Sequence, residues 1–228
     1  MSFLALIPAR ANSKGIPSKN LRNLADKPLI AWSIEHAKAS RKVGRIVVST
    51  DGPHIAEEAR KWGADVPFLR PPEIAGDTAS TELAMIHAVE SLATDGYRPD
   101  FVILLQPTSP LRHDGAIDEA IALLEQNKAD SLVSAREIHP FLWKKPDDAA
   151  AQYDYRNRPM RQAIAHDERL YEENGSIYIT RTDILLADRC RLGGKIAVFP
   201  MSAAESIDID TLDDFSLAEA VLKSGVRL

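Results

Sequence analysis

Along the first two thirds of the chain, short apolar runs alternate with stretches whose apolar residues recur every three to four positions. The runs FLALI (3–7), RIVVST (45–50), VPFL (66–69), DFVILLQ (100–106) and DSLVSA (130–135) read as buried β-strands. Between the first two, Ile30, Ile34 and Ala37 keep helical spacing, and Asp26 followed by Pro28 marks a helix start. The same spacing predicts helices over 52–62, 80–94 and 114–127. Strand–helix alternation implies parallel strands with helices covering both sheet faces, an α/β architecture.

The pattern breaks over 139–174, where no period is sustained and charge is dense. A loop beyond ~12–15 residues is usually functional or has structure of its own. Phe141, Trp143, Tyr153, Tyr155 and Tyr171 argue against a disordered insertion, because disordered segments are poor in aromatics. An ordered arm packing on something, a second copy of the chain for instance, is expected over 139–172, with 1–138 and 173–228 forming the α/β body. Two further runs, GSIYIT and KIAVFP, read as strands, followed by SIDID as an extended segment and a closing helix from Thr211 to about Lys223.

Composition narrows the function classes. A net charge of −5 over 228 residues gives no footprint for coating nucleic acid. No apolar run is long enough to cross a bilayer, and the first residues lack a basic leader with a cleavage site. One cysteine, Cys190, excludes an internal disulfide and a cysteine-based metal cluster. A cytoplasmic protein, with neither nucleic acid nor membrane as partner, is expected.

Against the acidic whole, the stretch after the first strand, ARANSKGIPSKNLR, gathers Arg10, Lys14, Lys19 and Arg22. Ligands of open α/β sheets sit at the carboxyl ends of strands, and this segment lies at one. Gly15 and Pro17 enforce irregular backbone whose amides can converge on an anion, and the cations add fixed charge, so polyphosphate binding is expected. The chain has no G-x-x-x-x-G-K-[ST] and no G-x-G-x-x-G, which disfavours P-loop and dinucleotide-binding readings, and neither H-E-x-x-H nor G-x-S-x-G.

The second constellation is SIDIDTLDD. On a strand, Asp208 and Asp210 would project from one face, and paired carboxylates call for a cation such as Mg²⁺. Acidic capping of the helix that follows is the other reading; it suits Asp210, and Asp213 and Asp214 as further candidates, but does not explain Asp208 between two isoleucines. Gln106, Thr108 and Ser109 leave the end of a buried strand, placed either to hold a polar ligand or to form a turn before the next helix. Arg70 follows another strand end, and Ser80 or Thr81 could cap the helix after it. The six histidines show no ligand spacing.

Taken in order, IPARANSKGIPSKN, VSTDG, RPPEIAGDTAS, LLQPTSPLR, NGSIYI and SIDID resemble the acylneuraminate cytidylyltransferases, or CMP-sialic acid synthetases. The match runs from Phe3 to about Leu222, and SKGIPSKN differs from the "RLPGKP"-like loop of the related Kdo-activating enzymes. The resemblance implies a Rossmann-like nucleotide-diphospho-sugar transferase fold, a mostly parallel mixed sheet with an extended dimerisation arm. It implies a reaction of CTP with a nine-carbon 2-keto-3-deoxy sugar acid, yielding the CMP-sugar and pyrophosphate. By position, Pro8, Ala9, Arg10, Asn20, Arg70, Ala79 and Thr81 fall where the family holds CTP, and Lys14 and Lys19 where it handles the triphosphate. Gln106 and Tyr178 match sugar contacts, and Asp208 and Asp210 match the Mg²⁺ carboxylates. Arg10, Lys14, Lys19 and Asp210 are the implied catalytic groups. Lys144 corresponds to an arm lysine that reaches the partner subunit's site, which implies a homodimer.

One position departs from the pattern. Family members commonly carry arginine two residues before the asparagine of NGAIYI, near the sugar acid, and here Glu172 stands there. Either Arg161 or Arg169 supplies the missing charge, or the acceptor is another sugar, such as legionaminic or pseudaminic acid. A non-catalytic nucleotide-sugar-binding protein is the alternative of a different class.

Overall fold

A computed structural model describes residues 1–12 and 15–224; Lys14 lies outside them. The strand-like runs become a six-stranded mixed sheet. Its strands are β1 (Phe3–Pro8), β4 (Val43–Ser49), β5 (Phe101–Leu105), β6 (Ser131–Ile138), β9 (Leu170–Arg181) and β10 (Ile196–Met201), in the order β10-β6-β9-β5-β1-β4. β9 is the antiparallel member, lying between β5 and β6, while β1 pairs parallel with both β4 and β5, and β10 with β6. A two-residue pairing of β2 (Asn23–Leu24) with β3 (Lys27–Pro28) leads into the first helix.

Alternation within each strand sends side chains to two cores. Phe3, Ala5 and Ile7 pack with residues of α1 (Leu29–Ala39), α2 (Pro53–Lys61) and α4 (Ala116–Asn127). Leu4 and Leu6 pack on the other face with α3 (Thr81–Thr94) and α5 (Thr182–Asp188). A third, smaller core joins Ile16, Leu24, Leu29, Leu111 and Ile209 to Phe215 and Ala218 of α6 (Leu212–Lys223). Burial of this many apolar side chains, each worth about 1.5–3 kcal/mol, anchors the loops discussed below. Among the described residues, no helix is long and apolar enough to cross a membrane.

Two expected strands are absent. Residues 66–69 carry no ladder: the chain meets β4 only at Asp65, whose N–H donates to the Ile46 carbonyl at 2.8 Å. Pro67 then has no N–H to offer, so β4 stays an edge strand. The SIDID segment is irregular as well, although it keeps alternation: Ile209 is fully buried while Asp208 and Asp210 are exposed. Core packing of Ile209 and two long-range hydrogen bonds, described below, do there what a ladder would do in a strand.

β6 and β9 run further than hydropathy indicates, pairing out to Ile138 opposite Leu170 through charged residues. Between them, residues 139–169 leave the sheet. They contain a two-residue hairpin of β7 (Trp143–Lys144) and β8 (Ala150–Ala151) and two short 3₁₀ turns. Phe141, Trp143 and Tyr155 are all about half exposed there.

Candidate functional site

The carboxyl ends of β1, β4 and β5 open into a cleft of about 500 Å³. Of the residues singled out from sequence, Pro8, Arg10, Lys19, Asn20, Arg70, Ala79, Thr81, Gln106, Asp208 and Asp210 line it. Ala9 lies just behind, its N–H donating to the Ser49 carbonyl at 2.9 Å. Residues some two hundred positions apart thus share one wall.

The loop after β1 is held at both ends. Asp51, at the end of β4, accepts from the Ala11 N–H at 2.8 Å, and buried Asn20 donates from its amide to the Arg10 carbonyl at 3.2 Å. Further along, Gly15 abuts the Asp210 backbone carbonyl so closely that a Cβ there would overlap it. Ile16 is sealed into the third core with Ile209. Lys19 completes the join: its ammonium donates to the Ile209 carbonyl at 2.6 Å and lies 3.4 Å from the Asp210 carboxylate. Arg10 crosses the cleft to Asp77, with Nη1 at 2.7 Å from Oδ1. Asp77, a partner of Arg10 that sequence reasoning passed over, sits inside the quoted motif RPPEIAGDTAS.

The opposite wall comes from residues 70–84. Arg70 is buried, and its guanidinium donates to the Ser49 hydroxyl and carbonyl at 3.2 and 2.5 Å. Burial pulls its pKa down, as does nearby Arg10, while Asp51 opposes both. Ser80 is the N-cap of α3, accepting from the Leu83 N–H at 3.4 Å, which places Thr81 on the first turn facing the cleft.

Asp208 and Asp210 stand at the far side. Although solvent reaches Asp208 from the cleft, partial desolvation against the cleft wall raises its pKa, and the charges of Asp210 and Asp214 add to it, against the opposing Thr108 hydroxyl and Lys19 ammonium. Desolvation is the larger cause, and the second carboxylate adds like charge that a bound cation would relieve. Asp214 takes the capping role: with Thr211 it forms a capping box at the start of α6, and it also accepts from the Asp210 N–H at 3.1 Å. The two readings of SIDIDTLDD are therefore divided between residues, capping to Asp214 and Thr211, and Asp208 with Asp210 left facing the cleft.

The floor at the end of β5 depends on a residue that sequence reasoning did not single out. Arg112 is 2% exposed, and its planar fork donates to the carbonyls of Gln106 and Ser176 and to the Ser33 hydroxyl, at 2.7–3.2 Å. Burial pulls its pKa down to about 9, with the Asp208 charge opposing, so it remains a cation at neutral pH. The Gln106 side chain passes over Gly175, where φ is +70° and a Cβ would stand 2.5 Å from Oε1. Only glycine suits both demands.

Three expected positions lie elsewhere. Tyr178 is buried in the second core, not on the cleft wall; its hydroxyl donates to Glu173 at 2.9 Å. Burial and the Glu173 carboxylate push its pKa up to about 12. Lys144 is exposed on β7 and does not line this chain's cleft. Glu172 is neutralised across the strand pair by Arg136, with Nε and Nη2 at 2.7 and 2.6 Å from one carboxylate oxygen. Neither Arg169, bound to Glu137 at 3.2 Å, nor Arg161 lines the cleft.

Comparison with known proteins bears on the family and the fold. The family model described as Cytidylyltransferase matches residues 4–225. The CMP-N,N'-diacetyllegionaminic acid synthase of Legionella pneumophila is 35% identical over 225 residues, covering 98% of this chain and 97% of that protein. The N-acylneuraminate cytidylyltransferase of Oncorhynchus mykiss is 38% identical, and the match covers 97% of this chain but 50% of that protein. Among solved structures, a CMP:2-keto-3-deoxy-manno-octonic acid synthetase in complex with CTP superposes with a TM-score of 0.74 at 19% identity. That match covers 99% of this chain and 100% of the other, and it speaks to fold alone.

Proposed function

The chain belongs to the cytidylyltransferase family, and from that premise we propose that it activates a nine-carbon 2-keto-3-deoxy sugar acid of the N-acylneuraminate type with CTP. The observation that carries the reading is the meeting of the cationic loop with Asp208 and Asp210 in one cleft. The anomeric hydroxyl of the sugar attacks the α-phosphorus, the bond to the β-phosphate breaks, pyrophosphate leaves, and the hydroxyl proton passes to water in the open cleft. Arg10, Lys19 and Lys14 balance charge on the departing pyrophosphate. Arg10 must exchange Asp77 for phosphate to do so, which links nucleotide entry to opening of that ion pair. Pro8, Ala9, Asn20, Arg70, Ala79 and Thr81 form the nucleotide side, and Gln106 orients the sugar with Tyr178 behind it.

Asp208 and Asp210 are a donor set suited to Mg²⁺, hard carboxylate oxygens with Lys19 as the lysine beside them among the described residues. Bound there with the triphosphate, the ion would supply Lewis-acid polarisation of phosphate oxygens.

Residues 139–172 are proposed to be a dimerisation arm that carries Lys144 to the partner's cleft. The exposed aromatic cluster supports this. The protein is proposed to act in the cytoplasm.

The Legionella relative, matched over nearly the full length of both chains, favours a second reading of the acceptor: a different acyl-amino sugar acid, as its name suggests; Glu172, held by Arg136, stands off the cleft lining. A panel of nucleoside triphosphates crossed with N-acetylneuraminic, legionaminic, pseudaminic and eight-carbon keto acids, read by pyrophosphate release, tests both. Release with CTP and one nine-carbon acid is expected. CTP binding with no release across the panel would support a non-catalytic binding protein instead.

A further inference from the structure

Arg112 is a buried cation with no carboxylate at ion-pair distance among the described residues, so its charge is met by backbone carbonyls and a hydroxyl alone. Its fork holds two carbonyls that belong to different strands: Gln106 at the exit of β5 and Ser176 beside the Gly175 kink of β9. Ser33 of α1 anchors the fork from beneath. The turn that begins at Gln106 is the same turn that holds the acidic segment. Thr108 accepts the Ile209 N–H on its carbonyl at 2.8 Å, which fixes the backbone next to Asp208. On the other side of the kink, the Asn174 amide donates to the Ser206 hydroxyl at 2.9 Å, two residues before Asp208.

We infer that Arg112 is a positioning residue that couples the sugar-facing Gln106 to the metal-facing Asp208, setting both from one guanidinium. The inference rests on the proposed nucleotidyl transfer and adds to it a shared support for the two substrates' sites. Three consequences separate this role from a general contribution to folding. Loss of the fork moves the sugar site and the carboxylates together. It leaves the nucleotide wall, Arg10 on Asp77 and Arg70 on Ser49, in place. Charge alone does not restore it, because a lysine ammonium cannot span two carbonyls and a hydroxyl in one plane.

The test uses the full chain as Arg112→Lys and Arg112→Met, with two readouts. The first is the Mg²⁺ concentration that half-saturates CTP binding, measured by calorimetry with CTP alone. It stands whether or not any sugar acid is turned over, so failure of the proposed reaction and failure of this inference are distinguishable. The second is the KM for the sugar acid that the wild type accepts. Both should rise about 10-fold or more in each variant, as for other residues that orient metal ligands, with metal-free CTP affinity within about 3-fold of wild type. Wild-type Mg²⁺ dependence in either folded variant overturns the inference. So does a parallel loss of metal-free CTP affinity, which marks general unfolding of the site. If the methionine variant does not fold, the lysine variant decides.

Discussion

In the cleft, polar side chains are held by neighbours from other segments of the chain, Lys19 by Ile209, Arg70 by Ser49 and Arg112 by three partners, with Asn20 closing its own loop on Arg10. In the segment 139–169, the aromatic side chains mostly hold one another. Phe141 and Tyr153 have ring centroids 4.8 Å apart, Trp143 lies 5.8 Å from Tyr155, and Arg158 covers Phe141 at 5.0 Å. That cluster packs on itself and remains half exposed, whereas the cleft sits on three cores. The difference teaches where substitutions act. Cleft residues are fixed by the sheet, so their loss shows in chemistry. Arm residues have apolar surface left over, so under the proposed dimer their loss should show in assembly.

The sharpest way to break the contrast is Asp208→Asn. Turnover should fall ~100-fold or more, with CTP affinity in the absence of metal nearly unchanged. Stability should move the other way. Because the folded pKa of Asp208 is raised, its ionised form opposes folding above that pKa, and the penalty disappears as pH falls below the ordinary carboxylate range. The variant should therefore melt higher than wild type at neutral pH without metal, with the gap closing on acidification. Equal melting temperatures across pH would remove the strained carboxylate from the account.

Gly175→Ala comes next. A methyl group at φ +70° crowds the Gln106 amide, so sugar KM should rise about 10-fold while CTP binding holds. Trp143→Ala tests the arm: sedimentation should show loss of dimer, with CTP affinity within about 2-fold, since the cleft is built within one chain. If the oligomeric state does not change, the exposed aromatics need another explanation. The smallest effect is expected from Glu172→Gln. A half-exposed ion pair contributes up to about 1 kcal/mol, so stability and sugar KM should shift little. A large change in KM would place Glu172 against the sugar after all.

Much of the site was legible before folding because its charges are unusual for their context. Arg10, Lys19, Asp208 and Asp210 stand out as cations in an acidic chain and as acids between isoleucines. Asp77 and Arg112 gave no such signal; each is one charge in a polar or Pro-rich turn, and its role depends on a partner 67 or 64 residues away. The charged extensions of β6 and β9 were hidden for a related reason. Arg136 opposite Glu172 is a cross-strand pair, which hydropathy along one strand does not reveal. The helix α5, at seven residues, is shorter than the window over which a helical period can be read.

By itself the sequence determined the α/β class, the order of its buried elements and the two charged segments, because periodic burial and isolated charge are local properties of a chain. Tertiary structure alone decided that those segments meet. Ile16 and Ile209 share a core, Gly15 lets the loop close on Asp210, and Lys19 bridges the remaining distance. It also decided that Glu172 faces Arg136, that Tyr178 is turned into the second core, and that SIDID alternates without being a strand. In each case the deciding contact joins residues far apart in sequence, and no period or composition along the chain encodes such a partner.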